Sequence, residues 1–191
     1  MLYVEAYKNR FKLPEDSIII NTTSRSTNWS RGLSPFVLKA GHLYGEYYAE
    51  NVENAWQASK VYEEFVDKDG NPKHEYFSWA NDIWKSKYAY RYPMGRDRKP
   101  LYSYWNGEKL SYVEARIKIY IPIYGNAVIK SIAFKKLLEI YRTESKDIYL
   151  IDFDGYNHIK KGKTLLDVIK DPYMKMGHAF VIYGLLEKFK K

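Results

Sequence analysis

The chain has 191 residues, enough for one sizeable hydrophobic core and short for two typical domains, so it reads as a single domain over residues 1–191. It contains no cysteine, which excludes disulfides, thiolate metal sites and a cysteine nucleophile. A net charge of +8 favours polyanions or phosphorylated ligands, while 20 tyrosines and 5 tryptophans supply both core and stacking surface.

Residues 1–13 are short and mixed, and the β-branched run at 17–23 predicts a strand. The polar run 22–31 predicts a loop in which Trp29 needs either a packing partner or a ligand. A turn over 32–36 and a hairpin-like segment broken by Gly41 and Gly45 follow. Asn51 then offers a cap to a helix expected to run to about Lys68. At 100° per residue Glu53, Gln57, Lys60 and Glu64 fall on one line. Val52, Ala55, Trp56, Ala58, Tyr62 and Phe65 cover most of the remaining circumference. That pattern describes a buried helix whose polar line faces a cleft, or a solvated face on which Lys60 pairs with Glu64.

The segment 67–72 is a strong breaker, and a second helix is expected over 75–92. Prolines bracket the loop 92–100, so its cations, Arg96 among them, are held in place and suit either a phosphate clamp or a solvated turn. Trp105 reads as a linker residue. A helical stretch from 111 to about 142 follows, which Pro122 and Gly125 are expected to divide. A buried strand starting at Ile148 ends in Asp152 and Asp154; two apart, they share a face of an extended strand, as catalytic carboxylates or as caps of a turn. His178 opens the closing helix as a proton carrier or a structural residue. The four histidines lack zinc-ligand spacing, and P-loop, dinucleotide-fingerprint and nucleophile-elbow patterns are absent, so no metal or cofactor is expected. No run approaches ~18 apolar residues and no apolar leader opens the chain, so a soluble, cytoplasmic protein without membrane contact is expected.

Several of these stretches together resemble the NADAR superfamily, which includes the riboflavin-intermediate N-glycosidases. Residues 52–60, Val-Glu-Asn-Ala-Trp-Gln-Ala-Ser-Lys, are similar to its E-H-x-x-Q-A-x-K helix, with Asn54 in place of the histidine. Leu33-Ser34-Pro35-Phe36 is similar to its S-x-F segment, Met94-Gly95-Arg96 followed by Trp105 to its G-R…W segment, and 177–187 to its closing helix. The resemblance implies a mostly helical α+β domain that binds an ADP-ribosyl or phosphoribosyl ligand and hydrolyses an N-glycosidic bond without a metal. Under it, Glu53 is the carboxylate that meets charge on the sugar, and Asp152 or Asp154 positions water. Gln57 and Asn54 orient ribose hydroxyls; Lys60, Arg96 and Arg25 meet phosphate; Trp29, Phe36 or Trp105 stacks on the base; and Ser34 and Gly95 are further substrate-binding residues. Removal of ADP-ribose from nucleic-acid guanine is the version the charge favours. A non-catalytic NAD or ADP-ribose binder and a basic nucleic-acid-binding protein without chemistry are the alternatives.

Overall fold

The structure, a computed structural model, describes residues 1–189. The chain has an α+β fold. It divides into two compact units, one formed by 1–38 with the chain from 124 onward and the other by 39–123. Among the described residues no helix is long and apolar enough to cross a membrane.

The first unit is built on a three-stranded parallel sheet of β1 (Leu2–Ala6), β8 (Ile148–Asp152) and β2 (Ile18–Asn21), in the order β1-β8-β2. Leu2 and Ile18 both pair with Ile148. All five residues of β8 are buried, as an apolar run flanked by parallel strands requires. The opening residues, mixed in character, are therefore a sheet strand: in the centre of the sheet alternation disappears, and at its edge only Leu2 and Val4 carry the apolar signal. The turn between strand β2 and Leu33 is self-satisfied. Ser30 Oγ donates to the Asn21 carbonyl at 2.6 Å and meets Ser26 Oγ at 2.8 Å, and Asn28 caps a 3-10 turn over Trp29–Leu33. Helices α5 (Ile132–Thr143), α6 (Leu165–Lys170) and α7 (His178–Lys188) complete the unit, with α7 against β1 and β8.

The second unit opens with the hairpin β3 (Gly41–His42) and β4 (Tyr48–Ala49), followed by α1 (Val52–Gln57). The expected long helix stops there. Tyr76 Oη donates to the carbonyls of Ala58 and Ser59, Ser59 Oγ donates to the Trp56 carbonyl, and the Tyr104 amide donates to the Ser59 carbonyl at 2.7 Å. With its last carbonyls satisfied from outside, the chain turns and continues as β5 (Lys60–Val61), paired antiparallel to β6 (Tyr102–Trp105). Glu64 consequently leaves the predicted line and pairs with Arg98 at 2.5 Å instead of Lys60. Trp105 is a strand residue and no linker, because β6 pairs with β7 (Glu108–Leu110) across Asn106-Gly107, both with positive φ.

Helix α2 (His74–Lys85) ends well before Tyr92. The later helix runs through Pro122: α3 (Tyr112–Ala115) passes into a π segment over Arg116–Tyr120 and then α4 (Ile121–Val128). The Ile121 amide donates to the Arg116 carbonyl, so the helix is already in a wider hydrogen-bond pattern where the proline ring enters. The division comes instead before Ser131, whose hydroxyl caps α5 by accepting from the Phe134 amide at 3.0 Å. Small residues and rings share the core of this unit: Ala49, Ala55, Ala58 and Ala80 lie with Tyr76 and Trp84, all without exposure.

Candidate functional site

In the unit 39–123, α1 places the centre of the predicted polar line in the interior. Glu53 and Gln57 are buried and Lys60 is half-buried. Lys60 Nζ donates to Gln57 Oε1 at 2.6 Å, and Gln57 Nε2 donates to Glu53 Oε1 at 2.9 Å. An ammonium has only donors and an ionised carboxylate only acceptors, so the orientation of the amide between them is fixed by its neighbours. The three groups form one polarised chain, negative at Glu53 and positive at Lys60, and the ammonium also lies 5.0 Å from the Trp56 ring centroid.

Asn54, next on the helix, faces the backbone. Its Nδ2 donates to the carbonyls of Ile83 (2.9 Å), Ser86 (3.1 Å) and Tyr88 (2.7 Å), and its Oδ1 accepts from the Tyr90 amide at 2.8 Å. It is completely buried. The side chain fastens the end of α2 and the extended segment after it, which is why the helix expected to reach Tyr92 ends at Lys85. Gly95 and Arg96 are exposed on the loop beyond, where Gly95 has φ of 98°. Trp105 meets Tyr44 edge-on at 4.6 Å within the aromatic core.

The remaining predicted residues belong to the other unit. Asp154 lies in the turn after β8, so it does not share a strand face with Asp152. Asp152 is buried and its Oδ2 accepts from the Ala179 amide and lies 3.0 Å from His178 Nδ1. His178 Nε2 is 2.8 Å from the Thr22 carbonyl, an acceptor only, so that nitrogen carries its proton and is engaged. Burial pushes the Asp152 carboxyl up, but the charge and hydrogen bond of His178 and the Ala179 amide outweigh it and hold the group below the usual carboxylate range. This pair fastens α7 to the strand end, and the imidazole serves as a tether. Trp29 has the Lys136 ammonium 5.2 Å from its ring centroid, and Ser34, buried, accepts from the half-buried Phe36 amide at 3.3 Å. Arg25 lies 5.2 Å from the Phe153 ring centroid.

Missing from the predicted set are Tyr88, Tyr90 and Tyr92, all exposed. The signal in sequence is the alternation of these rings with Ala89 and Arg91, which a helical reading of 75–92 hides.

These features define the class: an α+β protein in which a short helix carries a buried carboxylate and amide in line with the half-buried ammonium of the strand that follows. The chain belongs to DUF6939, a family of unknown function, whose model matches residues 4–168. No curated protein and no solved structure matches it.

Proposed function

We propose that the chain hydrolyses an N-glycosidic bond in an ADP-ribosyl or phosphoribosyl substrate, as the NADAR-like pattern of its central helix implies, with Glu53 as the essential carboxylate. What supports the reading is the line Glu53–Gln57–Lys60, buried at Glu53 and Gln57 and half-buried at Lys60. Cleavage of a ribosyl C–N bond builds positive charge on the sugar, and an anion held in a site poor in water stabilises it. Water oxygen joins C1′, its proton leaves with the departing nitrogen, and the bond pair goes to that nitrogen. Lys60, at the other end of the line, is the cation for the substrate phosphate. Gln57 holds the two charges in register. Asn54 has no part in binding because its amide is engaged by the backbone, and Asp152 stabilises α7.

The test compares wild type with Glu53→Gln on ADP-ribosylated guanosine, NAD and ribose 5-phosphate adducts, following released base and, separately, ADP-ribose binding by calorimetry. Turnover by wild type that drops at least ~100-fold in the variant, with binding retained, is the expected result. Equal turnover in both proteins overturns the role of Glu53. ADP-ribose binding without product in wild type replaces hydrolysis with a non-catalytic binding role.

A further inference from the structure

We infer that the segment 86–100 is a binding face for single-stranded nucleic acid, formed by Tyr88, Tyr90 and Tyr92 with Lys87, Arg96 and Lys99. The inference does not rest on the glycosidase reading. Tyr88 is 79% exposed, and Tyr90 and Tyr92 are each 41% exposed, an unusual cost for three rings so close together in a chain that buries many others. Their backbone is fixed. Asn54 holds the Tyr88 carbonyl and the Tyr90 amide, which point the same way only when the chain between them is extended. The Gly95 amide donates to the Tyr92 carbonyl at 3.0 Å and closes the far end.

Residues two apart in an extended stretch share a face and lie about 6.6 Å apart, as Tyr88 and Tyr90 do; the chain then bends at Arg91 before Tyr92. That spacing is close to twice the ~3.4 Å step along one nucleic-acid strand, so one base fits between the Tyr88 and Tyr90 rings, and Tyr92 offers a further ring beyond the bend. The chemistry around the rings suits a phosphate backbone: Lys87, Arg96 and Lys99 are exposed, and Asp97 is the one acidic residue in the segment. Rings offer π-faces to any unpaired base, whereas a duplex hides those faces in its own stack. An acidic protein would use the cations without needing the rings.

The experiment measures anisotropy of a labelled oligodeoxythymidine, and of a labelled duplex, over a salt series with the full chain. Wild type is expected to prefer the single strand. Each Tyr→Ala change at 88, 90 or 92 should weaken binding about five-fold or more, while Tyr→Phe retains it. Joint replacement of Lys87, Arg96 and Lys99 by Ala should lower the slope of log affinity against log salt by about two, at ~0.7 per lost phosphate contact. Glu53→Gln should bind like wild type, which separates this face from the chemistry. The inference is overturned if wild type does not bind the single strand at low salt. It is also overturned if the duplex binds as well, or if Tyr→Ala variants with unchanged circular dichroism bind like wild type.

Discussion

At the scale of single residues, Asn54 shows how a position can be functional in its consequences without touching a ligand. Four backbone groups from 83–90 bond to one amide: three carbonyls around its Nδ2 and one N–H on its Oδ1. Truncation to Ala would take this partner from the Tyr88 carbonyl and the Tyr90 amide, while the Ile83 carbonyl keeps the Ser86 amide and the Ser86 carbonyl keeps Asn51 Nδ2; each orphaned group costs about 1–3 kcal/mol. We expect Asn54→Ala to lower stability by on the order of 3 kcal/mol in urea denaturation and to raise hydrogen exchange at the Tyr90 amide. Asn54→Asp should be no better, since a carboxylate oxygen would then face three carbonyl oxygens. An Asp variant as stable as wild type would disprove this account. The sequence reading placed Asn54 on the helix and next to Glu53 correctly; it could not reveal the direction of the side chain, because its partners lie about thirty residues downstream in a segment that looked helical.

At the scale of elements, the docking of α7 depends on a glycine as much as on the Asp152–His178 pair. A Cβ on Gly177 would fall 2.2 Å from Asp152 Oδ2. The carboxylate cannot retreat without losing the Ala179 amide and the imidazole. Gly177→Ala is therefore expected to destabilise by about 1–3 kcal/mol. Combined with Asp152→Ala, the Gly177 substitution should cost clearly less than it does alone, because the steric part disappears with the carboxylate. Thermal unfolding of the four proteins measures that coupling, and strictly additive losses would refute the clash. This contact was not legible, since residues 152, 177 and 178 have no periodic relation in sequence. What was legible was local: the buried run of β8, the breaker at 67–72, and the face of α1 that carries Glu53 and Gln57. Local pattern fails where tertiary partners override it. Outside hydrogen bonds ended α1 at Gln57, and the π segment admitted Pro122 into a helix.

At the scale of the whole molecule, two buried groups contribute to the response to acid. Burial holds His158 below the ordinary imidazole value; it lies among Phe180 and Tyr183, and its Nδ1 has no partner among the described residues. Below about pH 6.5 the unfolded chain therefore takes up a proton that the folded imidazole resists, and stability falls as pH drops from there toward the folded value. Asp152, with a folded value below the usual carboxylate range, contributes stability that is fully present above about pH 3.9 and is lost as pH falls through its folded value. Urea midpoints should thus decline in two stages on acidification, and His158→Leu should remove the upper stage alone. A wild-type midpoint that stays level between about pH 7 and 5 would rule out the His158 contribution.

The order β1-β8-β2 also has a consequence in time. Both outer strands lie within residues 2–21, but the strand that joins them begins at Ile148. Until that later segment emerges from the ribosome, β1 and β2 have no mutual pairing to make, and their hydrogen-bonding edges stay open while residues 22–147 are synthesised. The unit 39–123 is continuous, with each of its strand pairings contained in that stretch. Sequence separation therefore makes it the part able to form first, and the parallel sheet the slow, aggregation-exposed step of biogenesis.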